Sequence, residues 1–149
     1  MSSPLTQIEA DGLIQLSKIP ANSRAEMYPS GGDSLRVILH SMNRKEAFLV
    51  EITRGRIDMA KVNHQLVGRQ IVPLLRLDIG VTAKHKNPDD VWIIGPHLHE
   101  YREGYELKWA TTLPFAGFDP GDDLITHLNK FFAFCNVTPL PPVSMGLFS

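Results

Sequence analysis

The chain has 149 residues, of which 43% are hydrophobic, and this length supports one domain, residues 1–149, around one sizeable core. The formal net charge of −1 excludes a chain that is basic overall, so any nucleic-acid role needs a local basic patch. The single cysteine, Cys135, excludes an intrachain disulfide and a cluster of thiolate metal ligands, which favours a cytoplasmic location.

Signals for secretion or membrane insertion are not found in the pattern. The start of the chain, Met1 to Thr6, lacks the basic and apolar regions of a signal peptide. The longest apolar run ends at Arg76, far short of the roughly 20 residues that a membrane span requires. We therefore expect no contact with a membrane.

Charge is distributed unevenly along the chain. The stretch from Arg54 to Lys86 carries a net +5, whereas residues 87–149 carry a net −5. A basic middle attracts phosphate, although surface strands also carry Lys and Arg simply because these side chains are well solvated. If the stretch binds a substrate backbone, the candidate residues are Arg54, Arg56, Arg69 and Arg76.

The first predicted element is a short helix. Thr6 followed by Glu9 has the spacing of a capping box, and apolar residues recur at helical intervals after it, so we predict a helix over Gln7–Ser17. The stretch 19–33, with its prolines and glycines, predicts an irregular connection.

The middle of the chain predicts strands joined by short turns. Apolar and β-branched residues alternate with polar ones, and the polar segments between them have the length of hairpin turns. The predicted strands are Ser34–His40, Glu46–Thr53, Arg56–Val62, Ile71–Ile79, Pro96–Arg102 and Leu107–Leu113. Because proline lacks an amide hydrogen, Pro73 places its strand at an edge or lies at the strand's beginning.

The last predicted element is a helix over Pro120–Cys135. Asp119 is the expected N-cap and Pro120 the first helical residue, and an apolar stripe follows at helical spacing. Cys135 lies on this stripe and is expected in the core, whereas His127 is expected to be solvated. The tail 137–149 is expected to lie extended on the body.

These elements predict an α+β fold. No segment between the strands is long enough for a parallel crossover helix, so the sheet is expected to be an antiparallel meander of five or six strands. It is flanked by an N-terminal and a C-terminal helix, and the last helix packs on its core face.

Polar chemistry concentrates between Pro96 and Tyr105. In a strand of period two, His97, His99, Tyr101 and Glu103 project to the same side. His85 lies on a neighbouring segment that can fold back beside them. We expect this cluster to converge with two residues of the preceding strand, and its members are His85, His97, His99, Tyr101, Arg102, Glu103, Arg76 and Asp78.

Three interpretations of this cluster stay open. A His-x-His pair with a carboxylate four residues on is a metal-ligand pattern that partly matches the first cupin motif, although the second cupin motif is missing. The histidines are otherwise plain hydrogen-bonded sheet residues. The third interpretation is metal-free phosphoryl transfer, with histidine as general base or acid and arginine stabilising the phosphorane.

We adopt the metal-free interpretation, with no metal and no cofactor. Its candidate catalytic residues are His97, His99, Glu103, Arg102, Tyr101 and His85. The two tryptophans, Trp92 and Trp109, are expected to pack in the body rather than to stack on bases.

Eight short motifs, in order along nearly the whole chain, resemble a known family. They are Leu5-Thr-Gln-x-Glu-Ala-Asp-x-Leu-Ile, Thr53-Arg-Gly-Arg-Ile-Asp, Leu75-Arg-Leu-Asp, His85-x-Asn-Pro-Asp, Pro96-His-Leu-His-x-Tyr-Arg-Glu-Gly-Tyr, Lys108-Trp-Ala, Phe134-Cys-Asn-Val and Gly146-Leu-Phe. Together they resemble a widespread domain family of unknown function from bacteria, prophages and other mobile elements. This chain departs from the family at Asp90 and Glu106, where a turn glycine is usual, and at Val91 and Leu107, where an acid is usual.

The resemblance implies a role in phage–host conflict and leaves two classes of function. One is a toxin or defence effector that acts on RNA, in which the histidine cluster supplies the chemistry. The other is a non-enzymatic inhibitor, like an anti-CRISPR protein, that binds a nucleic-acid-processing protein complex through the acidic C-terminal half. The expected partners are thus nucleic acid or such a complex, with an antitoxin or a second copy of the chain in addition.

Overall fold

The structure, a computed structural model, describes residues 4–146. Within them lie two helices and eleven strands: α1 Gln7–Gln15, β1 Lys18–Pro20, β2 Glu26–Met27, β3 Ser34–Ser41, β4 Ala47–Arg54, β5 Val62–Gly68, β6 Val72–Ile79, β7 Lys84–Lys86, β8 Trp92–Ile94, β9 His97–Glu100, β10 Ala110–Thr112, α2 Leu124–Phe134 and β11 Val143–Ser144. The last three residues of the predicted tail, with the end of the Gly-Leu-Phe motif, lie outside the described residues.

Seven strands form one antiparallel sheet in the order β1-β3-β4-β5-β6-β9-β10. The predicted α+β class, with a helix near each end of the chain, is confirmed, and the sheet is larger than the expected five or six strands. The extra strand is β1, whose last two residues lie in the stretch expected to be irregular. The tail extends along the body as predicted and pairs with β2 through β11. No helix among residues 4–146 is long and apolar enough to cross a membrane.

The third predicted strand, Arg56–Val62, is wrong. The chain turns here, because the amide of Lys61 donates to the carbonyl of Asp58 and the amide of Gly55 donates to the carbonyl of Lys61. The strand instead begins at Val62 and becomes β5, whose alternate residues enter the core. The Pro73 strand, β6, is central and not an edge, and Pro73 lies next to its beginning.

The predicted start of the last helix at Pro120 is also wrong. The side chain of Asp119 accepts from the amide of Gly121, which forms a turn instead of a helix cap. The N-cap is Asp123, whose side chain accepts from the amide of Thr126 at 2.7 Å. Two aspartates four residues apart carry the same local signal, and the second is the one that aligns the apolar stripe with the sheet.

The first helix has the predicted capping box. The Thr6 hydroxyl accepts from the amide of Glu9, and the Glu9 carboxylate accepts from the amide of Thr6. The helix ends at Gln15, two residues earlier than predicted, since the chain enters β1 at Lys18.

Lys18 is a buried cation that holds the C-terminal ends of both helices. Its ammonium donates to the carbonyls of Ile14 and Leu16 at the end of α1, at 2.8 and 2.9 Å, and to the carbonyl of Cys135 after α2, at 2.7 Å. Burial lowers the pKa of Lys18 to about 8. The three carbonyls supply the partners that a buried ammonium needs, in line with the favourable position of a cation at a helix C-terminus.

The two faces of the sheet differ in chemistry. On the inner face, one cross-strand row runs Ile52, His64, Leu77 and Leu98, all fully buried, and the ring of Phe131 on α2 packs against His64. The matching outer rows are polar. They are Thr53, Asn63, Asp78 and His97, and beside them Glu51, Gln65, Arg76 and His99.

Two predictions about α2 have opposite outcomes. Cys135 is fully buried as expected, and burial raises the pKa of its thiol to about 12, so that it stays protonated and unreactive. The prediction that His127 is solvated is wrong, because the helix begins at Leu124 and the position three residues later falls on its buried stripe.

Candidate functional site

The candidate site forms where β6 and β9 pair on the outer face. Asp78 is the cross-strand partner of His97, and Arg76 is the cross-strand partner of His99. Residues two apart on a strand share a face, so this register places the four polar side chains side by side. His97 and His99 are nevertheless 2% and 0% exposed.

His85 reaches the same place through the hairpin of β7 and β8. The side-chain amide of Asn87 donates to the carbonyl of Ala110 and accepts from its amide, at 3.0 and 2.9 Å. This pair of hydrogen bonds imitates strand pairing and fixes the hairpin at the edge of the sheet. The His85 ring then lies with its centroid 4.6 Å from that of His99 and 5.9 Å from that of His97.

Hydrogen bonds define how the two buried histidines are oriented. Nδ1 of His97 lies 2.8 Å from the carbonyl oxygen of Gly95, and Nδ1 of His99 lies 2.7 Å from that of Leu107. A carbonyl only accepts, so both Nδ1 atoms carry hydrogen. Both Nε2 atoms face Asp78, with distances to Oδ2 of 3.2 Å from His97 and 2.9 Å from His99.

Arg76 completes the cluster. Its Nε donates to Asp78 Oδ2 at 3.1 Å, and its Nη2 donates to His99 Nε2 at 3.1 Å. Burial opposes ionisation of Asp78, but contacts with the two histidines and the charge of Arg76 outweigh burial and hold its pKa well below the ordinary value. Burial also lowers the pKa of His99. The site therefore holds an ionised carboxylate at pH 7.

His85 is arranged differently from its two neighbours. Its Nε2 lies 2.6 Å from the carbonyl oxygen of Lys108 and donates to it. Its Nδ1, which carries the lone pair in the neutral ring, has no hydrogen-bond partner among residues 4–146. Among the three histidines of the site, His85 is the one without a hydrogen bond or ion pair to Asp78 among the described residues.

These groups line a pocket of about 350 Å³ that opens to solvent. Its wall carries three basic side chains, Lys61, Arg76 and Lys84, against one carboxylate, Asp78. These four side chains give the pocket a net positive charge, which suits an anionic ligand.

Three predicted site residues lie elsewhere. The Tyr101 hydroxyl donates to the carbonyl of Leu5 at 2.8 Å and accepts from its amide, and the Glu103 carboxylate accepts from the amide of Gln7. Arg102 lies over the ring of Trp109, 4.6 Å from its centroid. The prediction placed all three beside the histidines because it extended the strand to residue 102, whereas β9 ends at Glu100.

The segment that holds these residues instead orients the site. Tyr101 and Glu103 fasten it to α1, and Arg102 fastens it to Trp109. From this anchored segment the carbonyls of Leu107 and Lys108 accept from His99 and His85. The segment 101–109 is therefore a support for the histidines.

Glu106, one of the two positions where the sequence resemblance leads us to expect a turn glycine, lies in this support. Both it and Asp90 have positive φ, 51° and 69°. This is the left-handed region that glycine occupies without strain, so both turns have the backbone that the expected glycine would favour.

Of the four arginines considered for substrate binding, the structure places Arg76 in the pocket. Arg54 donates to the carbonyl of Met59, and Arg69 pairs with Glu9 and Glu46. Arg56 is exposed in the turn before β5. Lys61 and Lys84 were missed individually, although both lie in the basic stretch 54–86.

Trp92 is not the packing residue that the sequence predicted. It is 60% exposed on the hairpin, where it is the cross-strand partner of Lys86 and shares a face with Lys84. Trp109, by contrast, is partly buried between Arg102 and Tyr105 as expected.

Comparison with known proteins gives a family and no activity. The model of DUF6978, described as a family of unknown function, matches residues 5–137. Because this range is most of the chain, the protein belongs to that family. No curated protein and no solved structure matches the chain.

Proposed function

We propose that this member of DUF6978 is a phosphodiesterase that cleaves single-stranded RNA in the pocket at β6 and β9. The observation that carries the proposal is the pocket itself, where three histidines and an ionised aspartate lie among three basic side chains. Acid–base groups beside fixed positive charge are what cleavage of a phosphodiester requires.

Binding of the phosphate is assigned to the basic wall. Lys61 and Lys84 are exposed and able to reach a phosphate that enters from solvent, and Arg76 lies deeper, beside Asp78. Their positive charges neutralise the substrate in its ground state and the additional charge that develops on the phosphorane.

Proton transfer is assigned to His85. Its Nδ1 lone pair takes the proton of the 2′-hydroxyl, the 2′-oxygen forms a bond to phosphorus, and the bond from phosphorus to the 5′-oxygen breaks. The 5′-oxygen takes a proton from water in the open pocket. The products are a 2′,3′-cyclic phosphate and a 5′-hydroxyl. The hydrogen bond from Nε2 to Lys108 holds the tautomer that this step needs.

Single-stranded RNA is favoured over a small phosphate ester because of the hairpin next to the pocket. Trp92, Lys84 and Lys86 share its exposed face, and Lys84 also lines the pocket. An exposed aromatic ring among basic side chains stacks on bases and contacts the backbone of single strands. The hairpin would then hold the nucleotides that flank the cleaved bond.

The proposed setting is the bacterial cytoplasm during conflict with a phage or other mobile element, where the protein acts as a toxin or defence effector. The resemblance of the motifs to a family of prophages and mobile elements supports this setting. In such a role an antitoxin, or a second copy of the chain, would control the activity.

A second candidate function is a non-enzymatic inhibitor that binds a nucleic-acid-processing protein complex. The net charge of −5 over residues 87–149 favours it, because acidic surfaces imitate nucleic acid. The two candidates differ in whether RNA is consumed.

The test expresses the wild type and the variant His85→Gln, which lacks the proposed base, in bacteria and follows growth and bulk RNA. We expect growth arrest with loss of RNA for the wild type and neither for His85→Gln. The purified wild type should leave cyclic-phosphate ends on a single-stranded RNA and leave the matching DNA intact, since DNA lacks the 2′-hydroxyl. If RNA stays intact and a pull-down recovers one stoichiometric protein partner, the inhibitor function replaces the enzymatic one.

A further inference from the structure

We propose that Asp78, His97 and His99 form a binding site for one divalent transition-metal ion. Each offers one ligand atom, a carboxylate oxygen or a ring nitrogen, and the three atoms lie within 4.8 Å of one another. All three belong to paired strands of the central sheet, which makes their spacing rigid. This inference is independent of RNA cleavage, because a measurement of metal binding alone tests it.

The distances match a shared ion. The two Nε2 atoms lie 3.2 and 2.9 Å from Asp78 Oδ2. Two ligand atoms at about 2.1 Å from one ion and 90° apart lie about 3.0 Å from each other, and a tetrahedral angle gives about 3.4 Å. The two separations from Asp78 therefore match those of ligands around a metal, and the two histidine nitrogens, which lie within 4.8 Å of each other, would close on the ion by side-chain adjustment.

Hydrogen placement gives an independent argument. Each Nδ1 carries hydrogen, because it faces a backbone carbonyl. A metal ion binds the remaining ring nitrogen, Nε2, and both Nε2 atoms lie next to Asp78 Oδ2. A cation placed between the three atoms would therefore contact all of them. Arg76 serves His99 and Asp78 in this way, but its contacts do not include His97.

The surroundings of the histidines are those of metal ligands. A ligand histidine usually donates its second ring hydrogen to a carbonyl or carboxylate, which fixes the tautomer and directs the free nitrogen at the ion. Gly95 and Leu107 provide such carbonyls here. The segment 101–109, which supplies Leu107, would thus act as an outer support of the metal centre.

The donor set indicates the class of ion. Two imidazole nitrogens and one carboxylate oxygen suit Fe²⁺, Mn²⁺, Co²⁺ or Zn²⁺ and leave coordination positions open for water or substrate. The open positions face the basic pocket, because both histidines and Asp78 line it. A phosphate held there would therefore lie next to the ion.

Arg76 is the group that competes with the ion. Its side chain lies 3.1 Å from both Asp78 Oδ2 and His99 Nε2, and about a third of it is exposed, so that it can swing toward solvent. A fixed positive charge at this distance weakens cation binding. Replacement of Arg76 by neutral glutamine should therefore raise the affinity.

The test is calorimetric titration of the full chain, after treatment with a chelator, with Mn²⁺, Co²⁺ and Zn²⁺. We expect one ion per chain, a visible Co²⁺ absorption band, and an affinity at least tenfold lower in Asp78→Asn, His97→Gln and His99→Gln. His40→Gln, which alters a histidine outside the pocket, should bind like the wild type. Circular dichroism of each variant shows whether it is folded, and Arg76→Gln should bind several-fold more tightly.

Absence of binding by the folded wild type would overturn the proposal, and so would equal binding by Asp78→Asn. Binding by Arg76→Gln alone would also overturn it, because Arg76 would then be the resident cation of the wild-type site. RNA cleavage is measured separately, on the wild type with and without chelator. If the protein binds metal but leaves RNA intact, the metal site stands and the proposed RNA cleavage is excluded. If the protein cleaves RNA but binds no metal, RNA cleavage stands and the metal site is excluded.

Discussion

The protein buries histidines on both faces of one sheet, and the two sets differ in what surrounds them. On the inner face, His64 touches the hydroxyl of Tyr28 at 2.8 Å, and three ring nitrogens of His64 and His127 have no hydrogen-bond partner among the residues described. On the outer face, His97 and His99 each have both ring nitrogens in contact with a polar group.

The difference shows that burial of a histidine does not by itself indicate a site. The rings of Tyr28 and Phe131 contact His64, and burial lowers the pKa of both His64 and His127, to about 3 for His64. They act as neutral packing residues. His97 and His99 are equally buried, yet they are oriented by carbonyls toward a carboxylate in an open, basic pocket. Chemistry is expected where orientation, charge and access coincide.

The largest expected effect is on RNA cleavage and concerns His85, which lies beside His97 and His99 on the outer face. His85→Gln removes the proposed base and should lower the rate of RNA cleavage by about 10²- to 10⁴-fold. His40→Gln, outside the pocket, should cleave at the wild-type rate. The measurement is initial cleavage of a labelled single-stranded RNA. Equal rates for His85→Gln and the wild type would remove His85 from the mechanism.

The next effect concerns the inner face. Phe131 is fully buried on α2 and packs against His64, so Phe131→Ala leaves a cavity and should lower the free energy of unfolding by about 3–5 kcal/mol. Urea denaturation measures this loss. A loss below 1 kcal/mol would mean that α2 does not hold the sheet in the way described.

The predicted features divide by the range of the interactions that define them. The capping box of Thr6 and the alternation of β3 and β4 are local, and the sequence predicted both. The helix start at Asp123 was missed because Asp119 carries an equal local signal, and packing against the sheet decides between them.

The site follows the same rule. His97 and His99 share a face because of local period-two geometry. We also predicted from the sequence that Arg76 and Asp78 lie close to these two histidines. Tyr101 continues the same period in the sequence, but the strand ends before it, and contact with Leu5 at the far end of the chain decides its place. No pattern near Lys18 indicated a buried ammonium, because its carbonyl partner at Cys135 is 117 residues away.

A smaller effect is the loss of folding stability in acid that the buried His64 causes. The pKa of His64 is about 3 in the folded protein and about 6.5 in the unfolded chain, so between these values the unfolded chain binds the proton and the folded protein does not. Stability is therefore lost as the pH falls from 6.5, by roughly 1.4 kcal/mol per pH unit from this residue. His64→Leu should flatten the decline in urea denaturation between pH 7 and 4, whereas parallel declines would contradict the assignment.

The smallest expected effect is on the outer face, away from the pocket. Arg36 pairs with Glu51 across β3 and β4 at 2.9 Å, and the Arg36 side chain is largely exposed. Arg36→Ala should lower the free energy of unfolding by less than about 1 kcal/mol, because water screens such pairs. Urea denaturation checks this value. A loss as large as that of Phe131→Ala would mean that the outer face also carries the stability of the fold.

The ammonium of Lys18 makes the two ends of the chain dependent on each other. Opening the last turn of α1 removes two of its three carbonyl partners, and opening the end of α2 removes the third. Either event leaves a buried charge partly unpaired, so fraying at one helix also raises the free energy of the other. The amide hydrogens of both helix ends should then exchange with solvent in a common opening, and a fragment that begins after residue 18 should lose order at residues 131–135 although these residues are all present.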